Sequence, residues 1–378
     1  MATSPVSKRP LETAFRQQKL KSHRPIFTPT AVGITFLAIG VPFIILGSLV
    51  ISDSDKINEL SVRYDGANSD VADCKIYDSG PSTTCTVEME VKEDLAAPVY
   101  VYYELTNFYQ NHRRYVKSYD RLQLLGDTGL TDDTEKNCEP LVKAGGKTLY
   151  PCGLMANSLF NDKILVTSGQ SVSYHGTAWS SDKNKFKQPD GFEFKAYDAT
   201  VAPACAASGG SCSAAACASA DMPSGCKGWT CPAGEEDYYN CQKGKSYLFW
   251  YPKQGSYQYL YETFPEAISP LTGVETDRFQ VWMRNAALPK FRKLYAVIRE
   301  DLGKGDVVTF EIKANFDVAS FQGTKSLVLS TTTWFGGKNS FLGSCLVAVG
   351  AVCTAFGVGA FLKHLVSPRK MADLHLLE

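Results

Sequence analysis

The chain has 378 residues, enough for one large domain or two small ones. Lysine plus arginine number 39 and aspartate plus glutamate number 39, so the formal net charge is zero and no overall field selects a polyanionic partner such as nucleic acid. Charge is unevenly spread, however, and two stretches carry none.

The N-terminal tail, residues 1–30, is polar and basic, with Lys8, Arg9, Arg16, Lys19, Lys21 and Arg24. Residues 31–51, "AVGITFLAIGVPFIILGSLVI", follow without a charge. A helix of that length rises about 30 Å, the thickness of a bilayer core, and the polar residues before it argue against a cleaved leader. Residues 341–362, "FLGSCLVAVGAVCTAFGVGAFL", form a second such span. Basic residues flank the outer ends of both spans (Lys363, Arg369 and Lys370 follow the second), whereas Asp53, Asp55, Lys56 and Glu59 follow the first. The excess of basic residues marks the cytosolic side. Both termini are therefore expected in the cytosol and residues 52–340 in a lumen or outside the cell, with a C-terminal tail of 363–378.

Ten of the twelve cysteines lie between the spans: Cys74, Cys85, Cys138, Cys152, Cys205, Cys212, Cys217, Cys226, Cys231 and Cys241. An even count outside the cytosol reads as disulfides. The intervening segment reads mostly as strands. Cys85–Val91 alternates; Asp306–Ala314 places Val308, Phe310, Ile312 and Ala314 on one face; Ser326–Phe335 is rich in β-branched residues. An antiparallel sheet or sandwich is expected. "KFRKLYAVIRE", near residue 295, suits helix or strand. Residues 201–241 are rich in Ala, Ser and Gly and hold six cysteines, so bridges rather than an apolar core must hold them, and six cysteines allow 15 pairings.

The stretch "VYYELTNFYQNHRRYVKSYDRL", Val101–Leu122, concentrates tyrosines and basic residues. As a helix it would place Phe108, His112, Tyr115, Tyr119 and Leu122 on one face, with Arg113, Arg114 and Lys117 pointing elsewhere. The plainest expectation is an amphipathic helix docked on the sheet with His112 partly buried. The alternative is a surface holding a partner protein, the arginines acting as bidentate donors.

Catalytic patterns are not evident. There is no H-E-x-x-H, no G-x-S-x-G and no C-x-x-C, so neither a metal site nor a nucleophile is indicated, and no cofactor is expected. "GKS" at Gly244–Ser246 has Tyr239 where a phosphate loop needs its first glycine. The two tails are too short for a nucleotide-binding domain, so energy-coupled chemistry must belong to a partner. In the second span Ala351, Ala355 and Gly359 recur every four residues, Gly343, Ser344, Ala348 and Gly350 thicken this small-residue packing face, and Pro42 is expected to kink the first.

Several motifs together resemble the Cdc-fifty, or ligand-effect modulator, family. They are "AFRQQKLKSHRPIFTP" (Ala14–Pro29), "VRYD" (Val62–Asp65), "LTNFYQNHRRYVKS" (Leu105–Ser118), "PCGLMANSLFND" (Pro151–Asp162), "WMRNAALPKFRKLYAVI" (Trp282–Ile298), "STTTWFGGKNSFLG" (Ser330–Gly343) and "SPRK" (Ser367–Lys370). The resemblance implies a two-span membrane protein with a disulfide-bonded, mainly-β ectodomain, an antiparallel β-sandwich with helical insertions. It implies a non-catalytic accessory subunit of a type-IV P-type ATPase that moves phospholipids, escorting that partner from the endoplasmic reticulum and supporting its cycle there, in the Golgi and endosomes or at the plasma membrane. It further implies pairing of Cys74 with Cys85 and of Cys138 with Cys152. Asn107, Tyr109, Asn111, His112, Arg113, Arg114 and Tyr115, with Arg16, Lys19 and Arg24 of the tail, become candidate partner contacts. Two features depart from the family pattern: there is no N-x-S/T sequon, so no glycosylation site is expected, and the insert Cys205–Cys241 is larger than anticipated. A free-standing disulfide-rich receptor or adhesion protein is the alternative reading. The ending "DLHLL", Asp373–Leu377, resembles a sorting signal.

Overall fold

The computed structural model describes residues 12–20, 28–71, 74, 76, 83–129, 131–198, 200, 204–205, 210–334 and 336–368. Arg24, "DLHLL" and the last two residues of "SPRK" lie outside them. The chain divides into two units, residues 1–55 with 339–378, and residues 56–338.

The first unit is a pair of long helices, Pro29–Asp55 and Phe341–Val366, both long and apolar enough to cross a membrane. They extend beyond the charge-free runs at both ends or one. Where no water is available, a backbone must satisfy itself, and helix formation does so; Thr35 and Ser48 likewise return their hydroxyls to the carbonyls of Ala31 and Ile44. The first helix runs on through Pro42 without ending.

The two helices meet along glycines spaced by seven. A Cβ on Gly40 would lie 2.8 Å from the Gly350 carbonyl oxygen, and one on Gly47 2.8 Å from that of Gly343; Gly357 faces Leu37 and the Gly33 carbonyl. The order of these contacts makes the pair antiparallel. A period of seven keeps one seam facing its neighbour along both helices, and glycine alone permits backbones this close. Ala351, Ala355 and Gly359 lie on another face. All three are exposed, and a Cβ on Gly359 would touch nothing within 4 Å.

The second unit is built on two layers. A five-stranded sheet has the order β1 (Glu59–Gly66), β14 (Thr324–Ser330), β3 (Val99–Leu105), β12 (Phe291–Ile298), β7 (Val172–Ser173), with every pairing antiparallel. Facing it, a three-stranded antiparallel sheet has the order β2 (Thr83–Glu90), β13 (Val307–Ala314), β6 (Lys163–Val166). The alternation expected for β13 is present: Val308, Phe310, Ile312 and Ala314 are fully buried. Val308, Phe310 and Ile312 share one core with Val87 and Met89 of β2, Val101 and Tyr103 of β3, and Leu327 and Leu329 of β14. The ambiguous segment near residue 295 is strand β12. The strand expected over 326–335 stops at Ser330, after which Thr331–Trp334 leave the sheet.

A buried ionic cluster joins the layers. Lys325 on β14 is wholly buried, 3.0 Å from Asp65 and 2.8 Å from Asp162, and it donates to the Phe316 carbonyl at 2.7 Å. Asp162 precedes β6; it accepts from the backbone of Asn315 and Phe316 after β13, both at 2.6 Å, and from the Tyr64 hydroxyl of β1 at 2.9 Å. Burial, and next the adjacent Asp162 charge, push the Tyr64 phenol well above its ordinary pKa, so it remains a donor.

Two smaller sheets complete the domain. β8 (Glu193–Asp198), β10 (Lys245–Trp250) and β9 (Lys227–Thr230) pair antiparallel. β11 (Tyr257–Tyr259) runs parallel to β5 (Lys147–Tyr150), which pairs with β4 (Lys143–Ala144). The cysteine-rich insert thus contributes a strand, β9. It also has a small core of its own, in which Cys217, Cys226 and Met222 pack on Leu248. The disulfides are Cys74–Cys85, Cys138–Cys152, Cys205–Cys212, Cys217–Cys226 and Cys231–Cys241. In the insert each cysteine pairs with its neighbour in sequence. Such short loops constrain the unfolded chain by roughly 2.5–3 kcal/mol per bridge in the chain-entropy model.

Candidate partner-binding surface

The stretch Val101–Leu122 is not one helix. It starts as β3, turns at Asn107 in the left-handed region (φ 60), and continues as two short helices, Arg113–Lys117 and Arg121–Leu124. Hydrogen bonds from side chains to backbone, two of them to segments distant in sequence, are the cause. The Asn107 side chain donates to the Phe321 carbonyl at 2.5 Å, and Asn111 to that of Ala287 at 2.8 Å. His112 caps the first short helix, its Nδ1 accepting from the Arg114 amide at 3.3 Å. Asp120 caps the second, accepting from the Gln123 amide at 2.9 Å. Short polar side chains that bond to nearby backbone end one helix and start another.

Phe108 and Tyr115 anchor this segment. Phe108 sits 5.4–6.4 Å from the rings of Tyr115, Trp282, Phe291, Phe316 and Phe321, mostly edge to face. Tyr115 is only 8 % exposed, and its hydroxyl pairs with Ser158 at 2.9 Å. It is a core residue, which removes it from any contact surface. Gln110 is fully buried; its Oε1 accepts from the Ala286 amide at 2.9 Å and fixes the neighbouring Asn285–Pro289 loop. His112 is exposed, not partly buried as a docked helix would have it.

What remains outside is a compact polar knob: Asn107, Tyr109 (54 % exposed), Asn111, His112, Arg113 and Arg114. Among the described residues no carboxylate pairs with either arginine. Two free guanidinium groups, each able to grip a carboxylate through two parallel N–H donors, stand on a scaffold fixed by buried aromatics. Arg16 and Lys19, in the other unit, are exposed. Among the described residues no three His, Cys, Asp or Glu side chains lie together as a metal site.

A second feature was not singled out from sequence. Residues Thr177–Trp179, Gln280, Arg284 and Asn285 line a cleft of about 580 Å³, bordered by Tyr102 and Lys293. Trp179 gave no signal in sequence because an isolated indole in a loop is as often core as surface.

These elements define a class: an integral membrane protein with a two-helix hairpin and a disulfide-bonded, mainly antiparallel β domain. The chain belongs to the LEM3 (ligand-effect modulator 3) family / CDC50 family, whose model matches residues 49–370. It is 34 % identical over 376 residues to ALA-interacting subunit 3 of Arabidopsis thaliana, covering 97 % of this chain and 89 % of that one. It is 33 % identical over 369 residues to cell cycle control protein 50A of Mus musculus, covering 93 % and 88 %. It is 29 % identical over 403 residues to the phospholipid-transporting ATPase accessory subunit CRF1 of Saccharomyces cerevisiae, covering 97 % and 88 %.

Proposed function

We propose that this chain is the non-catalytic accessory subunit of a phospholipid-translocating type-IV P-type ATPase, forming a heterodimer with it in the membrane. The observation that carries this reading is the end-to-end likeness to a relative named as the accessory subunit of a phospholipid-transporting ATPase. The two membrane helices and five disulfides fit it: the basic flanks support cytosolic termini, and bridged cysteines suit a lumenal or extracellular domain. The ATPase performs the ATP chemistry. This subunit secures its folding and exit from the endoplasmic reticulum and biases its cycle, by binding some conformations more tightly than others.

The exposed knob at Asn107–Arg114, with Arg16, Lys19 and Arg24, supplies the contacts. A mild-detergent pull-down tests the whole reading: a polytopic companion of about 100–150 kDa recovered in near-equal amount is expected, on the domain-size arithmetic for a membrane ATPase. Its absence would point instead to a free-standing receptor. Arg113→Ala with Arg114→Ala should lower that recovery by about tenfold, some 1.4 kcal/mol, while the thermal midpoint of the purified subunit stays put. Affinity measured with the ATPase trapped in two phosphorylation states should differ; equal values would leave only the escort role.

A further inference from the structure

We propose that the hairpin Thr333–Gly336 is a lipid anchor, which seats the Trp334 side chain among the phospholipid headgroups of the leaflet on the side of the β domain. After β14 ends at Ser330 the chain is tied down twice before the second membrane helix begins. The Thr331 amide donates to the Asn58 carbonyl at 3.2 Å, and the Thr331 hydroxyl accepts from the Asn58 amide at 3.3 Å. Asn339 follows, its amide donating to the Ser54 hydroxyl at 2.9 Å. Ser54 and Asn58 are four residues apart, whereas Thr331 and Asn339 are eight apart. The surplus chain is taken up by the hairpin. Two backbone bonds close it: the Thr333 amide donates to the Gly336 carbonyl at 3.0 Å, and the Gly336 amide to the Thr333 carbonyl at 2.9 Å. Gly336 closes the turn at φ 106, a backbone angle open to glycine.

The tethers set the depth. The charge-free run of the first helix ends at Ile51, and Ser54 lies three residues further on. Three residues of helix rise about 4.5 Å. The headgroup layer is about 5–7 Å thick on each side of the hydrocarbon core. Ser54, and Asn339 bonded to it, therefore lie at headgroup depth. Gly336 is three residues from Asn339, at most about 10 Å of chain. The hairpin is held within reach of the same layer.

The side chains suit that layer. Trp334 is 83 % exposed. Its ring is apolar and its one N–H is polar, the combination that gathers tryptophan at membrane surfaces. Gly336 and Gly337 follow it and carry no side chain to interlock with a protein surface. Lys338 comes next, is exposed, and enters no ion pair among the described residues. A lysine stem can lie along apolar surface while its ammonium meets a lipid phosphate. Lys338 also borders a cleft whose wall carries Glu59 and Leu288, and Leu288, 68 % exposed, adds a second apolar tip to this rim. The anchor requires only that the two helices cross a membrane, whatever companion the chain has.

The test is tryptophan fluorescence of the full-length chain in phosphatidylcholine nanodiscs, with and without acyl chains brominated near the glycerol. Brominated lipid should remove roughly one-fifth more of the emission from the native chain than from Trp334→Phe, the share of one tryptophan in five. The thermal midpoint should not move, because the side chain is exposed. Equal quenching of the two chains overturns the proposal. A second measurement needs no substitution: in the native chain labelled with 5-fluorotryptophan, a headgroup spin-labelled lipid should broaden one of the five fluorine signals, and broadening of none overturns the proposal. Loss of ATPase recovery in Trp334→Ala, in a chain whose tryptophans no lipid quencher reaches, would assign the hairpin to a protein partner and also overturn it. Trp334-dependent quenching in a chain that captures no ATPase would uphold the anchor and remove only the accessory-subunit reading.

Discussion

Alkaline pH should unfold the central domain sharply, because its tyrosines are locked in the protonated form. Tyr64, Tyr103, Tyr238, Tyr251 and Tyr295 are almost wholly buried, and burial is the first cause raising the pKa of each phenol. Their folded-state pKa lies above the unfolded value of about 10, so the folded chain holds protons that the unfolded chain loses. The stability this contributes is fully present below pH ~10 and is lost as pH rises toward the folded values. At about pH 11 each unfolded tyrosine gains roughly 1.4 kcal/mol by ionising, and five gain roughly 7 kcal/mol; half a unit higher the sum is roughly 10 kcal/mol. A domain has only about 5–15 kcal/mol to lose. Unfolding should therefore be cooperative between about pH 11 and 12, with the buried phenols ionising in one slow step. The assay is a pH jump on alkylated full-length protein, followed by tyrosinate absorbance and far-ultraviolet circular dichroism. Exposed tyrosines should ionise at once and the buried ones only as the dichroism collapses. A single smooth titration of all 19 tyrosines near the free value, with no slow step, would refute the reasoning.

Three further outcomes are expected. Lys325→Met should lower stability by about 3–5 kcal/mol, seen as a lower thermal midpoint, because Asp65 and Asp162 are left buried and unpaired; Asp162→Asn in the same chain should recover part of the loss. Gly350→Ile should disrupt the helix hairpin and reduce the yield of folded protein, whereas Gly359→Ile should leave it intact and reveal any partner contact on that face through lowered ATPase recovery. Lys293 is held down to about 7, chiefly by burial and then by Arg284. Its folded pKa lies below the unfolded value, so its contribution is present at high pH and lost as pH falls toward 7. Stability should rise between about pH 7 and 10 in the native chain and be flatter in Lys293→Met, measured by denaturant titration.

The parts of the fold legible in the sequence were those fixed by the solvent. Two charge-free runs announce the membrane helices whatever they pack on, and the period-two pattern of Val308, Phe310, Ile312 and Ala314 reflects a strand with one face in the core. Where partners distant in sequence decide, the pattern misleads. Phe108 and Tyr115 both pack inward, which mimics a helical stripe, yet Asn107, His112 and Asp120 each divert the backbone. Their capping chemistry was present in the sequence but outweighed by the spacing. The small-residue face expected in the second span included Gly343 and Gly350, which do lie on the seam, but it centred on Ala351, Ala355 and Gly359, whose regular four-residue pattern faces elsewhere; the period of seven gains meaning only from Gly33, Gly40 and Gly47 on the other helix. Nothing local distinguishes Lys325 from a surface lysine; its burial depends on Asp65 and Asp162. Of the expected inward stripe, Phe108 and Tyr115 do pack into the core, whereas His112 and Leu122 are exposed; burial of Tyr115 removes it from the candidate contacts.

In the larger sheet β14 lies between β1 and β3, so the strand made last is the one that joins two made early. A ribosome must deliver residues as late as Thr324–Ser330 before Glu59–Gly66 finds its neighbour. Until then both early strands carry unpaired ladder edges, the kind of surface that recruits chaperones or aggregates. A nonsense mutation anywhere before codon 324 would thus yield not a shortened subunit but an unassembled sheet, and the cell would meet that defect at the point of synthesis.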